Sequence, residues 1–308
     1  MSLEFDIFLP GDYFFDLIYA GLPEFPSLGR EVYSTDVTTT GGAMFITAVS
    51  LQRLGVRVGW PVCFGNDYYS QSVRQFAIDE GIDLALAECV DVPYRRITTS
   101  IPYQGERAFV TYTDPAPIDI EALWLKRLHA CKFKHLHLGG FTSIELLKPF
   151  AEAAQALGAT VSMDCQDMPN FSACEWRHLL KLVDIFMPNA REAMCITNTE
   201  SAEDALKCLM EIANLVVLKH GSHGALIGKD GDIIRVPSIK VGPVIDTTGA
   251  GDCFNAGFLY GYVVQHASLE TCGRYGNICG GLSVTMMGGA SAAPRPEQLM
   301  QQYDLNYE

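Results

Sequence analysis

The residues best placed to do chemistry stand together near the end of the chain, in Asp246-Thr247-Thr248-Gly249-Ala250-Gly251-Asp252. The short apolar run Val241 to Ile245 precedes them. Phe254, Phe258, Leu259 and Tyr262 follow at three- and four-residue steps, a spacing that predicts a helix starting close to Gly249 and Gly251. Unpaired N–H groups and the positive end of the dipole make a helix start an anion site, and glycines let the anion approach the backbone. Gly249, Ala250 and Gly251 therefore read as an anion hole. Asp252, in the first turn, is placed to take a proton from a group attacking the bound anion. The same residues also suit a capping carboxylate beside tightly packed glycines. The segment is neither a GxxxxGK[ST] phosphate loop nor a GxGxxG fingerprint, so by themselves these residues define an anion site with a base beside it.

The full run DTTGAGDCFNAGF, Asp246 to Phe258, resembles the second signature of the PfkB carbohydrate kinase family, the ribokinase-like kinases. The resemblance implies transfer of the γ-phosphoryl group of ATP to a hydroxyl, with Asp252 as the base and the backbone of Gly249, Ala250 and Gly251 stabilising charge on the transferred group. Further markers follow in order along the chain. Gly41-Gly42-Ala43, with Ala48 and Leu51 to Gly55, resembles the early Gly-Gly motif running into a helix, and Gly65-Asn66-Asp67 resembles the element after the next strand. Asn189-Ala190-Arg191-Glu192 is similar to the NxxE motif, whose Asn and Glu organise Mg²⁺ and the nucleotide phosphates, often through water. Taken alone, those four residues read as a helix cap with a surface glutamate.

Lys219-His220-Gly221-Ser222-His223-Gly224 resembles the loop bordering the ATP site, which implies that Lys219, Gly221 and Gly224 lie at the nucleotide. A solvent-facing lysine at a strand end is the other reading of Lys219. His220 and His223 lack the spacing and company of a metal site. Asn277 to Gly289 resembles the helix and loop flanking adenine, with Asn277 either beside the base or bonded to nearby backbone. Asp246, with carbonyls around Thr248 and residues 283–290, lies where some relatives hold K⁺.

For the acceptor, counting from Gly11, Asp16 matches the family's substrate-binding Asp, with Gly41 and Gly42 beside it. A carboxylate accepts two sugar hydroxyls and fixes their orientation. Relatives resembling ribokinase carry Asn where this chain has Phe14 and Ile46, and losing two hydroxyl-reading groups argues against ribose itself. Phe14, Phe45 and Ile46 form either core or an apolar wall suited to a nucleoside base, a pyrimidine or a less hydroxylated sugar acid. Arg95, Arg96, Tyr103 and Arg107 offer donors to a carboxylate or phosphate. The expected function is an ATP-dependent kinase for a sugar or sugar derivative, with a nucleoside kinase as the alternative. A ligand-binding protein that kept this fold without turnover is the alternative of another class.

The elements that must position these residues are legible as alternating strands and helices. His135 to Leu138, Thr160 to Asp164, Ile185 to Met187 and Leu215 to Lys219 are short apolar runs, with helical periodicity over Ile144 to Leu157, Trp176 to Leu182 and Ala202 to Ile212. Apolar strands at this spacing imply a mostly parallel sheet in an α/β fold, covered on both faces, with ligands at the strands' carboxyl ends. Segments 14–38 and 94–112 are rich in Thr, Tyr, Val and Ile, with turn signals at Pro23, Pro26, Gly29 and Gln104-Gly105, and read as a small β-sheet appended to it. Residues 1–308 are thus expected to form one ribokinase-like α/β/α domain with a β-sheet lid, which the resemblance implies closes over the acceptor and joins a partner's lid in a homodimer. A net charge of -14 excludes nucleic acid and anionic membranes as partners, and it makes Mg²⁺ an expected helper at any phosphate site. Ten cysteines without a CxxC pair, and the lack of a basic leader or long apolar run, predict free thiols in a cytoplasmic protein.

Overall fold

The computed structural model describes residues 3–104, 106–139, 144–165 and 173–307. Its centre is an eight-stranded sheet in the order Asp232–Val236, Ala225–Lys229, Leu215–Lys219, Ile185–Met187, Thr160–Asp164, His135–Gly139, Ile7–Phe8 and Val58–Gly59. The six strands from Leu215–Lys219 to Val58–Gly59 pair in parallel, and the other two add an antiparallel edge. The expected runs Thr160 to Asp164, Ile185 to Met187 and Leu215 to Lys219 are strands with those bounds. Helices occupy Ile144–Ala156, Ala173–Leu180 and Ala202–Met210. Val241 to Ile245 forms no strand.

Ile185 to Met187 and Leu215 to Leu218 are apolar throughout because neither face is wet. Ile185, Met187, Leu215 and Val217 enter one core, with Phe254, Phe258 and Ile278 of the C-terminal helices. Their neighbours Phe186, Val216 and Leu218 enter the other, with Leu147, Phe150 and Leu206. Successive side chains point to opposite faces, so one short strand serves two cores. Polar residues interrupt this pattern on the central strands. His135 Nε2 and His137 Nδ1 each lie 2.7 Å from Ser162 Oγ, and His135 Nδ1 lies 2.7 Å from Thr160 Oγ1. Burial lowers both histidines, to about 3 and about 4, so the rings are neutral and bond these hydroxyls without carrying charge.

A second sheet of four strands, in the order Asp36–Ala43, Tyr13–Ala20, Arg96–Tyr103 and Glu106–Thr113, projects from the carboxyl end of the large one. It reaches further than segments 14–38 and 94–112: Gly41 and Gly42 lie inside a lid strand that runs directly into the helix Met44–Arg53, and residues 21–35 form a connection without strands. Gly105 of the expected turn lies outside the described residues.

The lid is fastened to the body by Asp67. Its Oδ1 accepts from Tyr69 N at 3.0 Å and Ser70 N at 3.1 Å, capping the helix Tyr68–Asp79, while Oδ2 accepts from Ser70 Oγ at 2.7 Å and Tyr94 N at 2.9 Å. Tyr13 OH donates to the same Ser70 hydroxyl at 2.8 Å. Asp67→Ala removes a cap and leaves the Tyr94 amide unpaired, a loss of about 2–4 kcal/mol. It is read as a lower urea midpoint at an unchanged m value.

Candidate active site

The helix Ala250–Leu259 begins at Gly249, whose φ of 70° is the left-handed conformation that a side chain resists. Space demands glycine there as well: a Cβ would lie 2.9 Å from Ile46 and 3.1 Å from Gly289 Cα. At this helix start Ala250 N donates to Thr247 O at 3.4 Å, and the amides of Gly251 and Asp252 have no helical carbonyl four residues back, which suits them as donors to an anion. Asp252 occupies that turn and accepts from Thr47 Oγ1 at 3.3 Å. Burial, reinforced by the nearby Asp164 carboxylate, raises Asp252 to about 7, against the opposing pull of Lys219 and Thr47.

Asp16 lies on the lid strand opposite Thr40 and is 8% exposed. Its carboxylate fits only because residue 42 has no side chain: a Cβ on Gly42 would come within 2.2 Å of Asp16 Oδ2. Gly41 is required in turn by Phe45, whose ring would lie 2.4 Å from a Cβ there. Burial first, then the charges of Asp246 and Asp252, raise Asp16 to about 7. The structure thus brings Asp16, Asp246 and Asp252 to one place at the mouth of the helix.

Asp246 is engaged by the loop around it. Its Oδ1 accepts from Thr248 N at 2.9 Å and Thr248 Oγ1 at 2.7 Å, and its Oδ2 accepts from Gly288 N at 3.1 Å. Arg107 reaches from the lid to donate to Thr248 Oγ1 at 2.9 Å, which ties the lid to the anion-hole loop. Arg95 is committed to Asp114 at 2.9 Å on the lid's outside. Phe14 is half-buried, with the Arg96 guanidinium 4.7 Å from its ring centre. Arg96 also pairs with Asp12 at 3.1 Å and donates to Tyr13 O and Tyr94 OH, both at 2.9 Å. Phe45 and Ile46 are each 3% exposed, which makes them core, and Ile46 fills the space between Gly249 and Gly289.

On the nucleotide side, Lys219 ends its strand 2.8 Å from Asp164 Oδ1 and 3.3 Å from Asn255 Oδ1, and Asn255 Nδ2 donates to Asp164 Oδ2 at 2.7 Å. A Cβ on Gly251 would meet Lys219 Nζ at 3.5 Å, so the ammonium lies beside the anion hole and does not face open solvent. Asn189 and Glu192 form a reciprocal cap: Glu192 N donates to Asn189 Oδ1 at 2.9 Å, and Asn189 N donates to Glu192 Oε2 at 2.8 Å. Asn189 bridges in parallel to Lys219, which sets the pair next to the lysine's strand end. Gly221 and Gly224 bound a short 3₁₀ turn. Gly224, at φ 90°, passes so close to Val236 and Ser238 that a Cβ would strike their backbone. The Asn277 amide donates to Val236 O at 3.1 Å and Pro237 O at 2.9 Å, bonds to a neighbouring segment.

Sequence reasoning missed Asp164, Asn255 and Thr47. The signal for Asp164 was present, since it is the last residue of a parallel strand, where ligands gather. Asn255 is one turn beyond Asp252. Thr47 is disclosed only by the packing of two helices distant in sequence.

The pfkB family carbohydrate kinase model matches residues 27–296, and the chain belongs to that family. A sugar kinase of Archaeoglobus fulgidus is 37% identical over 117 residues, 38% of this chain and 46% of that protein. A nucleoside kinase of Methanothermobacter thermautotrophicus is 26% identical over 313 residues, 98% of this chain and 97% of the relative. The structure of Arabidopsis thaliana ribokinase complexed with ribose and ATP superposes with a TM-score of 0.81 at 20% identity, over 99% of this chain and 100% of the other, which establishes the ribokinase fold. The protein is a carbohydrate kinase of that fold.

The raised carboxylates carry a stability consequence. A carboxyl group whose folded value lies above its unfolded one binds protons more tightly in the native state, so folding stability falls as pH rises from about 4 to about 7 and then levels off. Asp16→Asn removes the share of that fall due to Asp16, while Asp252 keeps its own. The variant is expected to match the wild type in thermal midpoint at pH 4 and exceed it at pH 8, at roughly 2–4 °C per kcal/mol recovered, read by calorimetry across pH.

Proposed function

We propose that this chain transfers the γ-phosphoryl group of ATP to a hydroxyl of a sugar or sugar derivative, with Asp252 as general base. The observation that carries this reading is the meeting of Asp252, set near neutrality in the first turn of a helix, with a second buried carboxylate, Asp16, across the same mouth. Asp16 accepts hydroxyls of the acceptor and holds one of them against Asp252. Asp252, steadied by Thr47, takes the proton as the oxygen attacks. The Gly249 to Gly251 amides donate to the oxygens of the transferred group, where negative charge concentrates. Lys219 supports the phosphate chain from beside Gly251, its charge moderated by Asp164.

Mg²⁺, when bound, would supply positive charge to offset that of the phosphates. Glu192 and Asn189 suit it through retained water, since one Glu192 oxygen is held by the Asn189 amide and Mg²⁺ keeps several waters by preference. Asp246 already accepts hydrogen bonds from Thr248 and Gly288, and we assign K⁺ no role in the reaction. A nucleoside acceptor is the second reading, favoured by the half-buried ring of Phe14 on a lid strand next to Asp16.

The base is tested by Asp252→Asn, which is expected to keep nucleotide binding by calorimetry while lowering kcat by about 10²–10⁴-fold. In the wild type, kcat is expected to fall as pH drops below about 7, because the base must be ionised. Undiminished turnover by the variant sinks the assignment. A thermal-shift panel of neutral sugars, sugar acids and nucleosides with a non-hydrolysable ATP analogue separates the acceptors.

The same reading includes a homodimer through the lid, where Val37, Val110 and Tyr112, each at least 51% exposed, share one face of the four-stranded sheet. Such a patch of apolar side chains favours a covering partner. Light scattering is expected to give twice the chain mass of 33.8 kDa, and Val110→Asp to return it to one.

A further inference from the structure

Arg53 ends the helix Met44–Arg53 on the side away from the acceptor, and its guanidinium is spent in an unusual way. Nη1 alone donates toward three carbonyls of one turn, Ala290 O at 2.9 Å, Ser291 O at 3.0 Å and Ala293 O at 3.0 Å. The rest of the fork grips Glu80, Nε at 2.9 Å and Nη2 at 2.6 Å. Three carbonyl oxygens converging on one nitrogen form a ring of negative dipole ends that favours a cation, added to the turn's own bonds from Ser291 N to Gly288 O at 3.2 Å and Ala293 N to Ala290 O at 3.0 Å. With its side chain 17% exposed, Arg53 fills that ring permanently from the chain itself.

The turn it holds leads directly to the site. Gly288 N donates to Asp246 Oδ2 at 3.1 Å, and Gly289 Cα would stand 3.1 Å from a Cβ on Gly249, the residue that starts the anion hole. Ile46, on the same helix as Arg53, fills the space against both Gly249 and Gly289. Displacement of the turn would therefore pass to Asp246 through one hydrogen bond and to Gly249 through direct packing.

We propose that Arg53 is a positioning residue for phosphoryl transfer: it locks the 290–293 turn, and the turn fixes the backbone of Gly249 to Gly251 against the transferred group. Its effect falls on the transition state, because the acceptor is bound by Asp16, on another element. A misplacement of about 1 Å at such a site costs up to 10²-fold in rate. A cavity of ≈ 250 Å³ lined by Arg53, Glu80, Thr39, Thr40 and Ser291 opens beside the guanidinium, so a small cation has access to the ring once the side chain is removed.

The inference rests on the phosphotransfer reading above, and its test has a readout that does not. In Arg53→Ala, kcat is expected to fall roughly 10–100-fold with KM for the acceptor nearly unchanged. Hydrogen exchange over residues 246–252 is expected to accelerate, and low-millimolar guanidinium, but not NaCl at equal ionic strength, is expected to restore both. Wild-type exchange over 246–252, or a loss that guanidinium does not reverse, overturns the proposal. Should Arg53→Ala not fold, Glu80→Gln, which releases one end of the fork, decides it: faster exchange over 246–252 supports the role, and an unchanged rate rejects it. A wild-type chain that transfers no phosphoryl group sinks the phosphotransfer reading alone, and the exchange data still judge Arg53.

Discussion

The organising constraint of this molecule is the crowding of carboxylates at one buried place. Asp16, Asp246, Asp252 and Asp164 converge where the large sheet, the lid and the helix Ala250–Leu259 meet, in a chain that already carries a net charge of -14. Each ionised oxygen taken from water there needs compensation. Asp164 receives it from Lys219 and Asn255, and Asp246 from Thr248 and the Gly288 amide. Asp16 and Asp252 receive less, and their affinity for protons rises to about 7 in consequence. Under the proposed reading that shortfall fits them for work: a fully compensated carboxylate is a poor base, and a poorly compensated one takes a proton readily at neutral pH. The glycines follow from the same constraint, because Gly42 and Gly249 are the positions where any side chain would displace a carboxylate or the helix start.

The lid is held in relation to this cluster by charge as much as by packing. Arg107 touches Thr248, which is itself bonded to Asp246, so the lid's distal hairpin and the anion-hole loop share one hydrogen-bond chain. At the lid's root, Arg96 is bound by Asp12, by two neighbours' oxygens and by the face of Phe14. Arg96 therefore stiffens the acceptor wall, and its charge is spent on Asp12 before any ligand arrives. Under the proposed reading, an acceptor held at Asp16 beside Phe14 would meet an aromatic surface and carboxylates, a setting that suits neutral, hydroxyl-rich molecules better than acids.

What the sequence disclosed follows the range of the forces involved. Strands buried on both faces advertise themselves as short apolar-rich runs, and three of them coincide with their expected bounds. Gly249 to Asp252 was legible because a helix start, an anion site and a base all depend on residues adjacent in the chain. The lid's true extent was not, since Gly41 and Gly42 read as a Gly-Gly motif running into a helix and become strand only by pairing with Phe15 and Phe14. Asn189 and Glu192 satisfy a helix cap and a metal-supporting motif with the same atoms, and sequence cannot separate the two. Lys219 was undecided between solvent and phosphate because its partner, Asp164, lies 55 residues away. Arg53 and Thr47 gave no sign at all, their roles resting on contacts 237 and 205 residues distant.

The acidity of the chain then bears on how it holds a polyanion. Arg53 is bound to Glu80, Arg57 to Asp6, Arg95 to Asp114, Arg96 to Asp12 and Arg127 to Glu88, so these guanidinium groups serve the fold. At the site itself stand Lys219, shared with Asp164, and Arg107, bonded to Thr248 Oγ1. Under the proposed reading, phosphate recognition would also draw on neutral donors, the amides at the start of the helix Ala250–Leu259, supported by its dipole. Amides hold their place only as well as the backbone that carries them, whereas a lysine can follow a moving phosphate on its flexible stem. A site built this way gains selectivity for the geometry of the transferred group and depends on rigid support behind it. That dependence is the physical reason an arginine anchored on the far side of Gly289 matters to chemistry it never touches.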